Sequence, residues 1–249
     1  MNNSFRQLFF ANLRMIYRNR SGFFWNLVIP AALYVALAIL PIPQVGGAVS
    51  YKNFALPGVI AYLIMQSGVY TLAYWMVDLK SRGVIKRFQV TPINQGELVI
   101  SLIAARLTVI LIQVILITFI GLAFFNATFA GNIIATLLLV ILGGALFLTV
   151  GLLISNFANS YETAAPLTAA IGMPLAVLGN LFIPLSLLPK SLQVIGNLLP
   201  ITYLVDGLRQ CYLYPFSFQI VVKDIWIVAT WLAILLILAI WLLRFKENS

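Results

Sequence analysis

Asp78, Lys80, Arg82, Lys86, Arg87 and Glu97 fall within one short stretch of a 249-residue chain in which only 8% of residues are charged. A second group, Gln66, Tyr70 and Tyr74, recurs at i, i+4 and i+8, with Ser67 and Thr71 beside it. Asn180 stands in another apolar run, and Asp206 and Arg209 form an i, i+3 pair near a cluster of prolines. None of these groups is equipped to make or break bonds. Histidine is absent and Cys211 is the single cysteine. That excludes His/Cys metal clusters, a disulfide within the chain and imidazole acid–base catalysis. No nucleophile sits beside a base, and no G-x-x-x-x-G-K-[ST] phosphate loop occurs. What remains is recognition. The charged stretch suits a partner surface. The polar and aromatic stripe suits an amphipathic ligand held by ring contacts and few hydrogen bonds, or else close contact between helices.

The elements that carry these residues must be membrane spans. The chain is 62% hydrophobic, with a mean hydropathy of +1.04, whereas soluble domains carry about a quarter charged residues. A bilayer core of about 30 Å needs about 20 apolar helical residues. Six stretches qualify: 23–40, 57–77, 98–125, 132–155, 163–183 and 225–243. The expected fold is therefore an all-α integral membrane protein of one domain. The first apolar run, followed by Ala48-Val49-Ser50, has the outline of a cleavable signal. Its length and its patterned N-terminal flank point instead to a retained helix.

Lys and Arg collect on the cytoplasmic side of membrane proteins. With six spans, eleven basic residues fall on one side and four (Lys52, Lys190, Arg209, Lys223) on the other. Both termini are then cytoplasmic, in a multi-pass protein of the cell membrane. Arg106 sits at the start of an uncharged block and is expected to snorkel to the headgroups. Gly144 and Gly151 are expected to serve helix packing, and Gly172 and Gly179, with Pro166 and Pro174, to loosen the fifth span.

Two regions are not spans. In residues 4–20, Phe5, Leu8, Phe9, Leu13, Ile16 and Tyr17 recur at helical spacing while Arg6, Arg14, Arg18 and Arg20 lie mostly off the stripe. This predicts a basic amphipathic helix in the inner headgroup layer. In 184–222, prolines cut the chain into the pieces 191–199 and 202–214, each too short to cross. They predict an extracellular or re-entrant helical hairpin containing Pro200, Thr202, Tyr203, Asp206 and Arg209, with Thr202 capping the second helix.

Two motifs now carry a resemblance. The first runs from Arg82-Gly83 through Arg87-Phe88 to Val90-Thr91-Pro92 and Glu97-Leu98. The second is Asn197-Leu198-Leu199-Pro200-Ile201-Thr202-Tyr203, followed by Val205-Asp206-Gly207 and Arg209. Together, in order, they resemble the permease subunits of type-2 ATP-binding cassette (ABC-2) transporters, in the drug and lipid exporter branch. The resemblance implies a coupling helix at 78–92, with Arg82, Val84, Ile85, Lys86, Arg87 and Phe88, assisted by Glu162, docking on a separate ATPase. It implies two copies of that ATPase, which carry the ATP and magnesium, and two copies of the permease, with no cofactor on this chain. Gln66, Tyr70, Tyr74 and Asn180 would line a substrate path at the axis between the two permeases. The implied activity is export of a hydrophobic or amphipathic substrate, drug-like or lipid. Alternatives are a polysaccharide or lipid-linked glycan exporter and, without the family, a secondary transporter or channel. The intramembrane acid or histidine that an ion relay would need is missing from the expected spans. The partners are thus protein and lipid, with no nucleic acid.

Overall fold

A computed structural model describes residues 3–42, 49–84, 95–215 and 217–247. Among them the chain is helical. We number the helices α1 (Asn3–Arg18), α2 (Arg20–Ile39), α3 (Tyr51–Ser81), α4 (Gln95–Phe125), α5 (Ile133–Phe157), α6 (Tyr161–Leu178), α7 (Lys190–Leu198), α8 (Pro200–Leu213) and α9 (Phe218–Glu247). Local chemistry sets the boundaries. Asn19 separates α1 from α2, and its side-chain oxygen accepts from Gly22 N at 3.1 Å. Asn132 caps α5 in the same way, accepting from Ile134 N and Ala135 N. Ser160 and Thr163 form a reciprocal capping box at the start of α6. Leu199 is extended and Pro200 occupies the first turn of α8, where its missing N–H costs nothing.

Among the described residues, five helices are long and apolar enough to cross a membrane: α2, α3, α4, α5 and α9. The expected fifth span, 163–183, differs. Helix α6 stops at Leu178, because Asn180 adopts a left-handed φ of 59° and turns the chain toward the hairpin. The other discrepancies lie at helix ends. Helix α3 starts at Tyr51 rather than near Pro57, so Lys52 and Asn53 belong to the helix and not to a loop. The Tyr51 hydroxyl donates to Phe182 O at 3.2 Å, which anchors the added turns. Helix α9 likewise starts at Phe218, ahead of Lys223 and Asp224. Asp224 is buried against α8, an acid that span counting had left outside the helix.

Helix α3 is the centre of the molecule: 78% of its apolar stretch is buried, against 11% for α2 and 11% for α9. Its middle, Ser67–Leu72, is a π-helical turn. This turn brings Gly68 against the α5 backbone at Phe147, and Gly151 of α5 against Gly68 O; a Cβ on either glycine would overlap main chain. Gly144 instead faces Leu107 of α4. Helix α1 lies along α4: Ile16 packs with Ala105 and Val109, and Asn12 Nδ2 donates to Ser101 Oγ at 3.2 Å. The amphipathic stripe of α1 is therefore largely spent on protein, while Phe10 and Tyr17 remain 55% and 73% exposed.

Candidate functional site

The polar and aromatic stripe of α3 does converge on one groove. Tyr62, Gln66, Tyr70, Thr71 and Tyr74 line a pocket of about 460 Å³, closed on its other side by Trp25, Asn26 and Ile29 of α2. Thr71 Oγ1 donates to Asn26 Oδ1 at 2.8 Å, and Asn26 Nδ2 donates to Gly22 O at 2.7 Å, so α2 is held to the groove by a short polar chain. The Gln66 side-chain oxygen is buried there without a hydrogen-bond partner. That is the kind of open polar group that fixes a ligand's orientation in an otherwise apolar site.

The same stripe also seats α6, which runs antiparallel along it. Tyr62 meets Phe182 at a ring separation of 5.7 Å. The Tyr70 ring lies so close to Gly172 that a Cβ there would collide with it. Tyr74 Oη is 3.1 Å from Thr168 Oγ1. Thr168 donates its own proton to Ala164 O at 2.9 Å, so Tyr74 is the donor. The stripe thus serves two neighbours, a groove toward α2 and a packing contact with α6.

Asn180 is not among the residues lining that groove; it belongs to the hairpin. Its Nδ2 donates to Asp206 Oδ1 at 2.7 Å, and its Oδ1 accepts from Leu185 N at 3.1 Å. Arg209 donates to Asn180 O at 2.5 Å and Leu181 O at 2.9 Å, lies 3.5 Å from Asp206, and stacks 3.7 Å over the Phe54 ring. Burial pushes the Asp206 carboxyl up, an effect that Arg209 and Asn180 oppose; burial pulls Arg209 down to about 10, and Asp206 opposes that. Thr202 does not cap α8. Its hydroxyl donates to Gly196 O at 2.6 Å and ties α8 back to α7, because Leu199 and Pro200 already form the cap. Tyr203 donates to Asn197 O at 2.7 Å. The proline-rich segment is thereby stitched at each bend.

At the opposite end, Asp78 holds Arg82 at 3.0 Å and accepts from the Tyr161 hydroxyl at 3.0 Å. Lys80 donates to Ser155 O near the end of α5. The end of α3 is therefore fixed to both α5 and α6, and exposed Glu162 follows Tyr161 at this corner. Arg82 and Val84 lie here. Ile85, Lys86, Arg87 and Phe88 lie outside the described residues. Lys80 stands in the charged stretch of the sequence, whereas nothing in the sequence marks Tyr161 as a connecting residue. The Arg106 guanidinium lies 4.0 Å over the Trp75 ring, and its Nε is buried without a partner.

Comparison with known proteins bears on what this arrangement is for. The family model described as "ABC-2 type transporter" matches residues 3–213. YvfS of Bacillus subtilis, which carries the provisional name of a transport permease, is 26% identical over 206 residues, covering 79% of this chain and 80% of YvfS. The inner membrane transport permease YadH of Escherichia coli is 28% identical over 164 residues, 66% of this chain and 64% of YadH. YbhR of Escherichia coli, provisionally named a multidrug ABC transporter permease, is 24% identical over 176 residues, 71% of this chain. The chain spans only 48% of YbhR's length.

Proposed function

This chain belongs to the ABC-2 type transporter family, and on that premise we propose that it is the membrane permease of an ATP-driven exporter that moves a hydrophobic or amphipathic molecule. The observation that supports the substrate class most is the α2–α3 groove, with its tyrosines and one unpartnered amide oxygen. Aromatic walls bind greasy or flat surfaces, and a lone polar atom orients them without demanding one structure.

In this reading both termini face the cytoplasm, and the end of α3 is where force enters. A separate ATPase docks on the stretch that follows Arg82, and the Asp78–Arg82–Tyr161 and Lys80–Ser155 contacts transmit its movement to α6 and α5. Two permeases and two ATPases form the working unit, and ATP and magnesium are bound by the ATPases. The hairpin of α7 and α8, held by Arg209, covers the outer end.

Phe88 tests the coupling. Truncation to Ala removes one ring from the expected docking surface. The expected result is weaker copurification with the ATPase, and ATP hydrolysis no longer linked to transport, with an unchanged melting temperature. Full assembly and full transport by Phe88→Ala would remove this stretch from the coupling path.

A further inference from the structure

A second cavity, of about 810 Å³, lies among the end of α1, the start of α2, α3 and α4. Its ionisable lining residues with a fixed charge are Arg18, Asp78, Arg82 and Arg106. Asp78 is occupied by Arg82 and by the Tyr161 hydroxyl. Arg106 stacks on Trp75 and keeps a buried Nε with no hydrogen-bond partner. Arg18 is exposed at the rim. Gln113, 1% exposed and two turns further along α4, adds a buried side-chain oxygen without a partner. A cation in apolar surroundings is costly unless paired, and contact with one ring offsets only part of that cost.

The depth of the cavity indicates what pairs with Arg106. Ile16 of α1 packs on Ala105 and Val109, the residues on either side of Arg106 along α4. Phe10 and Tyr17 on the uncovered side of α1 are exposed. A helix with basic residues and uncovered rings rests at the boundary between headgroups and acyl chains. With α1 at that boundary, Arg106 would sit at headgroup level, within a cavity that carries two guanidiniums without an acid partner among the described residues.

We propose that this cavity binds the phosphate of an anionic ligand, in the first instance an anionic phospholipid of the leaflet against which α1 lies. The Arg106 fork grips the phosphate and Trp75 keeps the fork flat, Arg18 closes the rim, and Gln113 meets a polar group deeper in. A planar guanidinium matches phosphate oxygens in pairs, which an ammonium does not. This site does not depend on the substrate reading of the α2–α3 groove.

The test is thermal unfolding of the purified chain, in the complex in which it purifies, with short-chain phosphatidylglycerol, short-chain phosphatidylcholine or inorganic phosphate. Phosphatidylglycerol is expected to raise the melting temperature saturably, and phosphatidylcholine to leave it unchanged. Arg106→Gln should raise the half-saturating phosphatidylglycerol concentration about tenfold or more, the usual scale for losing a charge-assisted hydrogen bond. Arg106→Lys should recover little of that loss. Arg14→Gln, an exposed charge on α1 outside the cavity lining, should change nothing. Should Arg106→Gln fail to fold, Arg18→Gln at the rim supplies the same comparison, with a smaller loss expected. Arg106-dependent stabilisation by inorganic phosphate alone would support the anion site and place its ligand in water rather than in the bilayer. Equal responses to the two lipids, or an equal loss in Arg14→Gln, would overturn the proposal.

Discussion

Arg209 and Arg106 are both arginines in apolar surroundings, and their neighbours treat them differently. Arg209 has two carbonyls, one carboxylate and one ring. It replaces water for the backbone at Asn180 and Leu181, where the chain turns away from α6 and has no helical partner of its own. Arg209→Met should therefore orphan those carbonyls, while Asp206 keeps the Asn180 amide. Leaving a buried acceptor unpaired costs about 1–3 kcal/mol, and Asp206, whose side chain is 43% exposed, adds little, so a clear fall in melting temperature in detergent is expected. Arg209→Lys should rescue poorly, since one ammonium cannot serve three acceptors in the plane of a stacked ring. A melting temperature unchanged in both variants would show that the hairpin is held by its apolar contacts alone. The residue types at this node were legible in the sequence, which paired Asp206 with Arg209. The role of Asn180 was not, because a polar residue in an apolar run looks the same whether it faces a path or caps a turn.

Helices α3 and α6 show what spacing alone leaves open. The i, i+4, i+8 recurrence of Gln66, Tyr70 and Tyr74 places them on one face, and the structure brings them to one groove. That recurrence carries no mark of the neighbour that runs along it. Gly172 is what admits the Tyr70 ring, and it lies about one hundred residues away in sequence. Gly172→Val should loosen α6 by overpacking, at about 1–3 kcal/mol. Tyr70→Ala in the same chain should return much of that loss, because the ring that clashes is gone. Melting temperatures of the two single variants and the double variant close the cycle. Strict additivity would mean that Tyr70 and Gly172 do not touch. Helix ends were the least legible elements. Lys52, Asn53, Lys223 and Asp224 lie ahead of the expected spans 57–77 and 225–243, yet each is inside a helix: the start of α3 packs on protein, and in α9 Asp224 is buried while Lys223 is exposed.

For the whole molecule, composition pointed to a membrane protein and the uninterrupted apolar runs of about 20 residues to helices, since barrel strands are shorter and alternate. The number of crossings was harder to read, because α6 is short and turns at Asn180 instead of continuing to Ile183. With six crossings, the distribution of Lys and Arg would place both termini in the cytoplasm. Single cysteines placed on a chain whose Cys211 has been replaced should react with a membrane-impermeant reagent in intact cells at Ser191 and Ser217, and not at Ser4 or Ser249. Labelling at Ser4 or Ser249, or none at Ser191 and Ser217, would reverse or redraw the topology.

In the function proposed above, this chain transports only when a separate ATPase drives it. The most direct measurement is ATP-dependent entry of an amphipathic fluorescent dye into inside-out vesicles that contain this chain with, or without, the ATPase that copurifies with it from its source membrane. Uptake is expected only with both chains and hydrolysable ATP, and none when an ion gradient is supplied in place of ATP. Uptake by this chain alone, driven by an ion gradient and indifferent to ATP, would contradict it.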